Sequence, residues 1–157
     1  MTDEIRLDFQ RRLSQCNKGE MIVIMYDILF AYLEEAKEEH IKSNYEGYKD
    51  AIRQGQKTLD MLMGALDFHY DIAKELYPLY VTGKNLLAKA IYQNRVDGIC
   101  EAEAIMKPLY MGFCEAAKSD NSPALMKNTQ KVYAGMTYGR SSLNENLTDN
   151  DNRGFLV

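Results

Sequence analysis

The sequence predicts an all-α protein: an antiparallel four-helix bundle with a short N-terminal helical segment and an extended C-terminal tail. Three observations carry this expectation. Apolar residues recur at three- and four-residue spacing through almost every long segment. No stretch sustains the period-2 alternation of β-branched residues that marks a strand. Prolines stand only at 78, 108 and 123, and short polar breaks separate the periodic runs. Four long helices of roughly 21–24 residues, each about 30–36 Å at 1.5 Å per residue, joined by short breaks, suit an up-and-down bundle.

The elements follow in order. Residues 3–15 form a short first segment, with Ile5, Phe9 and Leu13 on one face. Asn17, Lys18 and Gly19 then break the pattern and supply an N-cap region. The first long helix is predicted over 18–40. Ile22, Met25, Leu29, Leu33 and Ala36 form its stripe, and Ile24, Ile28 and Phe30 widen it beyond a single seam. A polar turn over 42–47 leads to a second helix over 48–68, striped by Tyr48, Ile52, Leu59, Leu62 and Leu66. Gly55 and Gly64 within it mark either close backbone approach or simple tolerance. The third helix is predicted over 71–94, with Pro78 giving a kink or a late start. Asp97 is the expected cap of the fourth helix, 97–118, which Pro108 should kink in turn. A short helix is predicted over 123–131, with Ser122 as cap and Pro123 in its first turn. The domain division expected is therefore 1–131 for the bundle and 132–157 for the tail. The tail is rich in Asn, Ser, Asp, Thr and Gly, with scattered apolar anchors such as Val132, Tyr138 and Phe155.

Composition narrows the function. A chain of 157 residues suits one domain with its own core. The net charge of −4, with no basic run, speaks against nucleic acid as partner. The charged N-terminus has no apolar stretch of the secretory type, and the longest apolar run, 21–33, is interrupted by Asp27. A cytoplasmic protein without membrane insertion is expected. Cys16, Cys100 and Cys114 are too widely spaced for a disulfide framework, and read as thiols. Cys100 and Cys114 fall on nearly the same face and are expected in or near the core.

No catalytic constellation emerges. His40 and His69 lack the Glu three residues earlier that di-metal helical bundles use; Lys37 and Leu66 stand there. Neither a nucleotide-binding glycine motif nor a nucleophile elbow is present. No catalysis, metal or cofactor is therefore expected. What remains is surface. The apolar stripes of 18–40 and of 71–94 exceed the needs of a four-helix core. That surplus is either a groove for a partner chain or area covered by the N-terminal segment and the tail.

Several short motifs, in order, carry a family resemblance. Glu20 to Asp27, EMIVIMYD, is similar to the E-L-x-x-x-L-Y-[DE] opening of the first helix in FliS-like flagellar export chaperones, which bind flagellin. The preceding DFQRRLSQCNK resembles their N-terminal segment, an aromatic–Gln pair before a polar turn. Ala65-Leu66-Asp67, then Ile72, Leu76 and Leu79-Tyr80, resembles their stretch L-D-x-x-x-x-x-I-x-x-x-L-x-x-L-Y, and Ala88-Lys89-Ala90 follows in register. The tail sequence NTQKVYAGMTYGRSSLNEN resembles an extension found in a subgroup. Val81-Thr82 and Asn85-Leu86 stand where the family often has Asp-Tyr and a basic pair, and the frequent Trp of the fourth helix is missing.

The resemblance implies a chaperone that binds the C-terminal segment of flagellin, blocks premature polymerisation and keeps the subunit competent for export. It implies that Phe9 and Gln10 belong to a segment covering the groove, that Tyr26 and Asp27 lie near its edge, and that Leu79, Tyr80, Gly83, Leu87 and Ala90 line it. The alternative is a helical adaptor for another regulatory or signalling protein; other flagellar proteins are further candidate partners. The spacing of apolar anchors in the tail adds one expectation, that residues 132–157 fold into the groove and compete with the partner.

Overall fold

The computed structural model describes residues 1–126. They form five helices: α1 (Asp3–Gln15), α2 (Lys18–Ile41), α3 (Tyr45–Gly64), α4 (Asp71–Gln93) and α5 (Asp97–Lys118). No strand occurs among the described residues. The all-α expectation is met, and the five segments fall close to their predicted ranges, α3 departing most.

Local chemistry sets the ends. Asn17 caps α2 by a reciprocal capping box: its side chain accepts from the Glu20 N–H, and the Glu20 carboxylate accepts from the Asn17 N–H. Asn44 caps α3 by accepting from Gly47 N–H. Helix α3 starts three residues before the predicted 48, because its first turn is polar and carries no apolar stripe to betray it. It also ends at Gly64 rather than 68. There the Asp67 carboxylate takes the His69 N–H at 3.0 Å and its Nδ1 at 2.7 Å, stabilising a turn in place of another helical turn. Asn94 ends α4 in the left-handed region, φ 51°, a conformation Asn tolerates well.

Helix α4 begins at Asp71 as predicted, with Pro78 inside it, as Pro108 lies inside α5, so of the two alternatives at Pro78 the late start falls away. Two expectations are corrected. Asp97 is not a cap. Val96 holds that position, and no side chain caps the helix. Residues 123–126 are not helical, so the short predicted helix does not begin at Pro123. Asp120 instead folds this segment back, accepting from Gly19 N–H at 3.0 Å, while Leu125 N–H donates to Cys16 O. The rest of that predicted helix, the domain boundary at 131 and the tail's expected place in the groove all lie outside the described residues.

Helix α2 packs against α3 and α5, and α4 packs against the same two. The core between them holds Leu29, Leu33, Ile52, Leu59, Leu87 and Met106, all without exposed surface. Burying each such side chain contributes about 1.5–3 kcal/mol. Neither glycine of α3 marks a close backbone approach: a Cβ at Gly55 would meet only side chains, Leu33 at 3.3 Å, and Gly64 has open space around it. Helix α1 lies on α2, contributes no buried residue, and runs back along it: Arg12 pairs with Asp27 and the amino group of Met1 with Glu35. No residue from 21 to 33 is exposed. The cysteine expectation fails in part. Cys16 is the buried thiol, Cys114 is half-buried, and Cys100 is exposed, because Ile99 and Ala102 take the inward face of α5.

Candidate functional site

The residues expected to line a groove separate into three groups. Tyr26, expected near the edge, and Gly83, Leu87 and Ala90, expected in the lining, are buried in the core. Gly83, Leu87 and Ala90 are spaced for one stripe of α4, and that stripe faces inward. Gly83 is the clearest case: a Cβ there would come within 2.9 Å of the Met106 methyl, so glycine makes room for an α5 side chain and not for a partner. Leu79 is 37% exposed, on the outer side of α4. Tyr80 falls between these groups. Its surface is buried, yet it contributes to the wall of an open cleft.

That cleft lies where the start of α2, the end of α3 and the start of α4 meet. Its volume is about 250 Å³, and its apolar walls include Ile22, Leu62, Leu66, Leu76 and Phe113. Lys18 and Asp67 supply the polar part of its lining. The turn beside it exposes Phe68 and Tyr70, and Ile72 follows in the first turn of α4. Ile72 and Leu79 are seven residues apart, two helical turns, and so lie in line along α4. Both are exposed, which continues the apolar surface of the cleft along the helix. The motif carrying Leu66, Ile72, Leu76 and Tyr80 thus converges on one place. The cleft depends on the turn over 65–70, and spacing within a helix gives no sign of it.

Behind the cleft lies an aromatic cluster. Tyr26 is surrounded by Phe30, Tyr80, Tyr110 and Phe113, with ring centroids 5.7–6.3 Å away. Such spacing permits tilted, edge-directed ring contacts. The Tyr26 and Tyr80 hydroxyls lie 2.8 Å apart. Burial pushes both phenols above their ordinary pKa, so both keep their protons.

Asp27 forms a second polar node. Its carboxylate accepts from Arg12 at 2.5 Å and from the Tyr110 hydroxyl at 2.8 Å. The bond to Asp27, and burial after it, raise the Tyr110 pKa. Asp27 therefore ties α1 to both α2 and α5. Phe9 is half-buried on α1 with the Arg12 guanidinium over its ring, while Gln10 is exposed. A larger cavity, about 510 Å³, opens between the end of α1, α2 and the end of α5; Arg12, Glu20 and Lys118 bring charge to it.

The histidines serve local structure: His69 pairs with Asp67, and His40 Nε2 lies 3.0 Å from Asn94 O. No group of three or more His, Cys, Asp or Glu comes together among the described residues. None of their helices is long and apolar enough to cross a membrane.

A set of packed helices with an open apolar cleft and an adjoining apolar strip defines a class, an all-α module with uncovered apolar surface. A family model described as flagellar protein FliS matches residues 1–120, which takes in all five helices. The chain belongs to this family of flagellar export chaperones. No individual curated protein matches it.

Proposed function

We propose that the chain is a cytoplasmic export chaperone that binds the C-terminal segment of flagellin, prevents its premature polymerisation and keeps it competent for secretion. On this reading the four long helices form an antiparallel four-helix bundle, whose surface is the template for the bound segment. The observation that carries the proposal is the cleft walled by Leu62, Leu66 and Leu76, continued by exposed Ile72 and Leu79, in a chain of the FliS family. Leu79 and Tyr80 would touch the partner directly. Phe9, Gln10 and Asp27 would act through α1, which lies over α2. A disordered segment that folds on binding offsets its ordering entropy by inserting apolar anchors into such places.

Titration calorimetry with a flagellin C-terminal peptide tests this. The expected result is saturable binding with a negative heat-capacity change. An absence of heat at several temperatures, with micromolar protein, would overturn it.

A further inference from the structure

The Tyr26–Tyr80 pair holds one hydrogen more than its own bond can use. Each phenol carries one O–H, and the two oxygens share a single hydrogen bond of 2.8 Å. One hydrogen bridges them; the other meets no acceptor among the described residues. Both side chains are essentially fully buried, at 0% and 1% exposure. A buried donor left without an acceptor is unfavourable. Of the two tyrosines, Tyr80 is the one that lines the open cleft.

We infer that Tyr80 is a specificity-determining contact, donating this spare hydrogen to an unpaired backbone carbonyl of the flagellin segment seated in the cleft. The inference rests on the proposed function and deepens it. Once Tyr26 donates to Tyr80, the Tyr80 hydrogen is free to face the ligand, and the two bonds in series polarise one another. The chemistry restricts the occupant. An apolar side chain fills the volume walled by Leu62, Leu66, Leu76 and Phe113 but offers no acceptor. The interior of a helix has its carbonyls already paired. The segment must therefore enter at a helix C-terminus or in extended form, with an aliphatic or aromatic anchor beside a free carbonyl. A partner that is helical throughout, however apolar, is disfavoured, which gives the cleft a criterion beyond greasiness.

The test compares the full chain with Tyr80→Phe and Tyr26→Phe, by calorimetry with the flagellin C-terminal peptide and by chemical denaturation of each free protein. Each substitution removes one hydroxyl and breaks the same internal bond, so loss of that bond alone predicts equal effects on binding. The inference predicts asymmetry. Tyr80→Phe should weaken the peptide about five- to tenfold, the worth of one neutral hydrogen bond, and Tyr26→Phe clearly less. Equal losses, or unchanged binding by Tyr80→Phe while the wild type binds, would overturn it. Failure of the wild type to bind would instead overturn the proposed function, and this inference with it. Should Tyr80→Phe fail to fold, peptides with single ester replacements along the anchor segment give the second measurement with the wild-type chain. One position should lose affinity through its weakened carbonyl, and a uniform response would refute the contact.

Discussion

Three glycines of the helices separate backbone contact, side-chain contact and open space. At Gly98 a Cβ would lie 2.5 Å from the Leu86 carbonyl oxygen, a backbone atom of α4. Gly98→Ala should therefore force α4 and α5 apart and destabilise by about 1–3 kcal/mol. At Gly83 the nearest atom is the end of Met106, which can swing away. Gly83→Ala should cost no more than about 1 kcal/mol, because the gain in helix propensity works against the contact. At Gly64 nothing lies within 4 Å and φ is not positive, so Gly64→Ala should stabilise by about 0.5–1 kcal/mol. Urea denaturation of the three variants checks the order, and a Gly98→Ala protein as stable as wild type would refute the close crossing. Asp120 offers a test by pH. Hydrogen bonds from Ser122, then from Gly19 N–H, hold its carboxyl below the usual range. A lowered folded-state pKa contributes stability that is present above the unfolded value and lost as pH falls through the folded one. The Gly19 amide resonance should move with the Asp120 titration, below the ordinary carboxylate pKa, and should stop doing so in Asp120→Asn.

Among the elements, α1 differs from the other four. It has no buried residue, and its polar ties are the Arg12–Asp27 bond and the pairing of Met1 with Glu35. Asp27 is also held by Tyr110, so its side of the contact is fixed before α1 arrives. Arg12→Ala should then release α1 without unfolding the core. Amide exchange over 3–15 should quicken markedly, with global stability changed by less than about 1 kcal/mol, as is usual for a part-exposed ion pair. Raised salt should move the wild type in the same direction. Unchanged exchange would mean that apolar contacts such as Phe9 hold α1 instead. The elements themselves were largely legible in the sequence, because burial on one face of a helix writes a 3.6-residue period. The start of α3 at Tyr45 and the turn after Gly64 were not legible, since polar caps and Asp67 set them. The candidate site was half legible. Gly83 and Leu87 lie on the stripe that periodicity identifies, and Tyr26 came from the resemblance alone, but a stripe reports that a face is apolar and not what covers it. Only the packing of Met106 onto Gly83 decides that this part faces the core.

At the scale of the whole helical unit, residues 1–125, the two ends are built differently. At one end Tyr48, without exposed surface, places its hydroxyl 2.8 Å from Ala90 O and 2.9 Å from Arg95 O. The His40 ring lies tilted against the Tyr48 ring with its Nε2 3.0 Å from Asn94 O, and Gly98 permits the tight crossing beside them. Two connections are thereby tied to one another through the backbone acceptors of Ala90, Asn94 and Arg95. At the opposite end the turn over 65–70 is partly exposed, Phe68 and Tyr70 face solvent, and the cleft stands open between Ile22, Leu62 and Leu76. Local opening is easiest where few buried contacts hold the backbone, and binding surfaces are drawn from such regions. Hydrogen exchange should therefore be polarised. Amides from 65 to 73 should exchange through local opening, while those from 86 to 99 should exchange only as the core unfolds. Saturating flagellin peptide should slow the first set far more than the second, because ligand at a hundredfold its Kd adds about 2.7 kcal/mol to every opening that destroys the site. Protection centred instead on 40–48 and 94–99 would place the partner at the locked end, and would exclude the cleft beside Tyr80 as its seat.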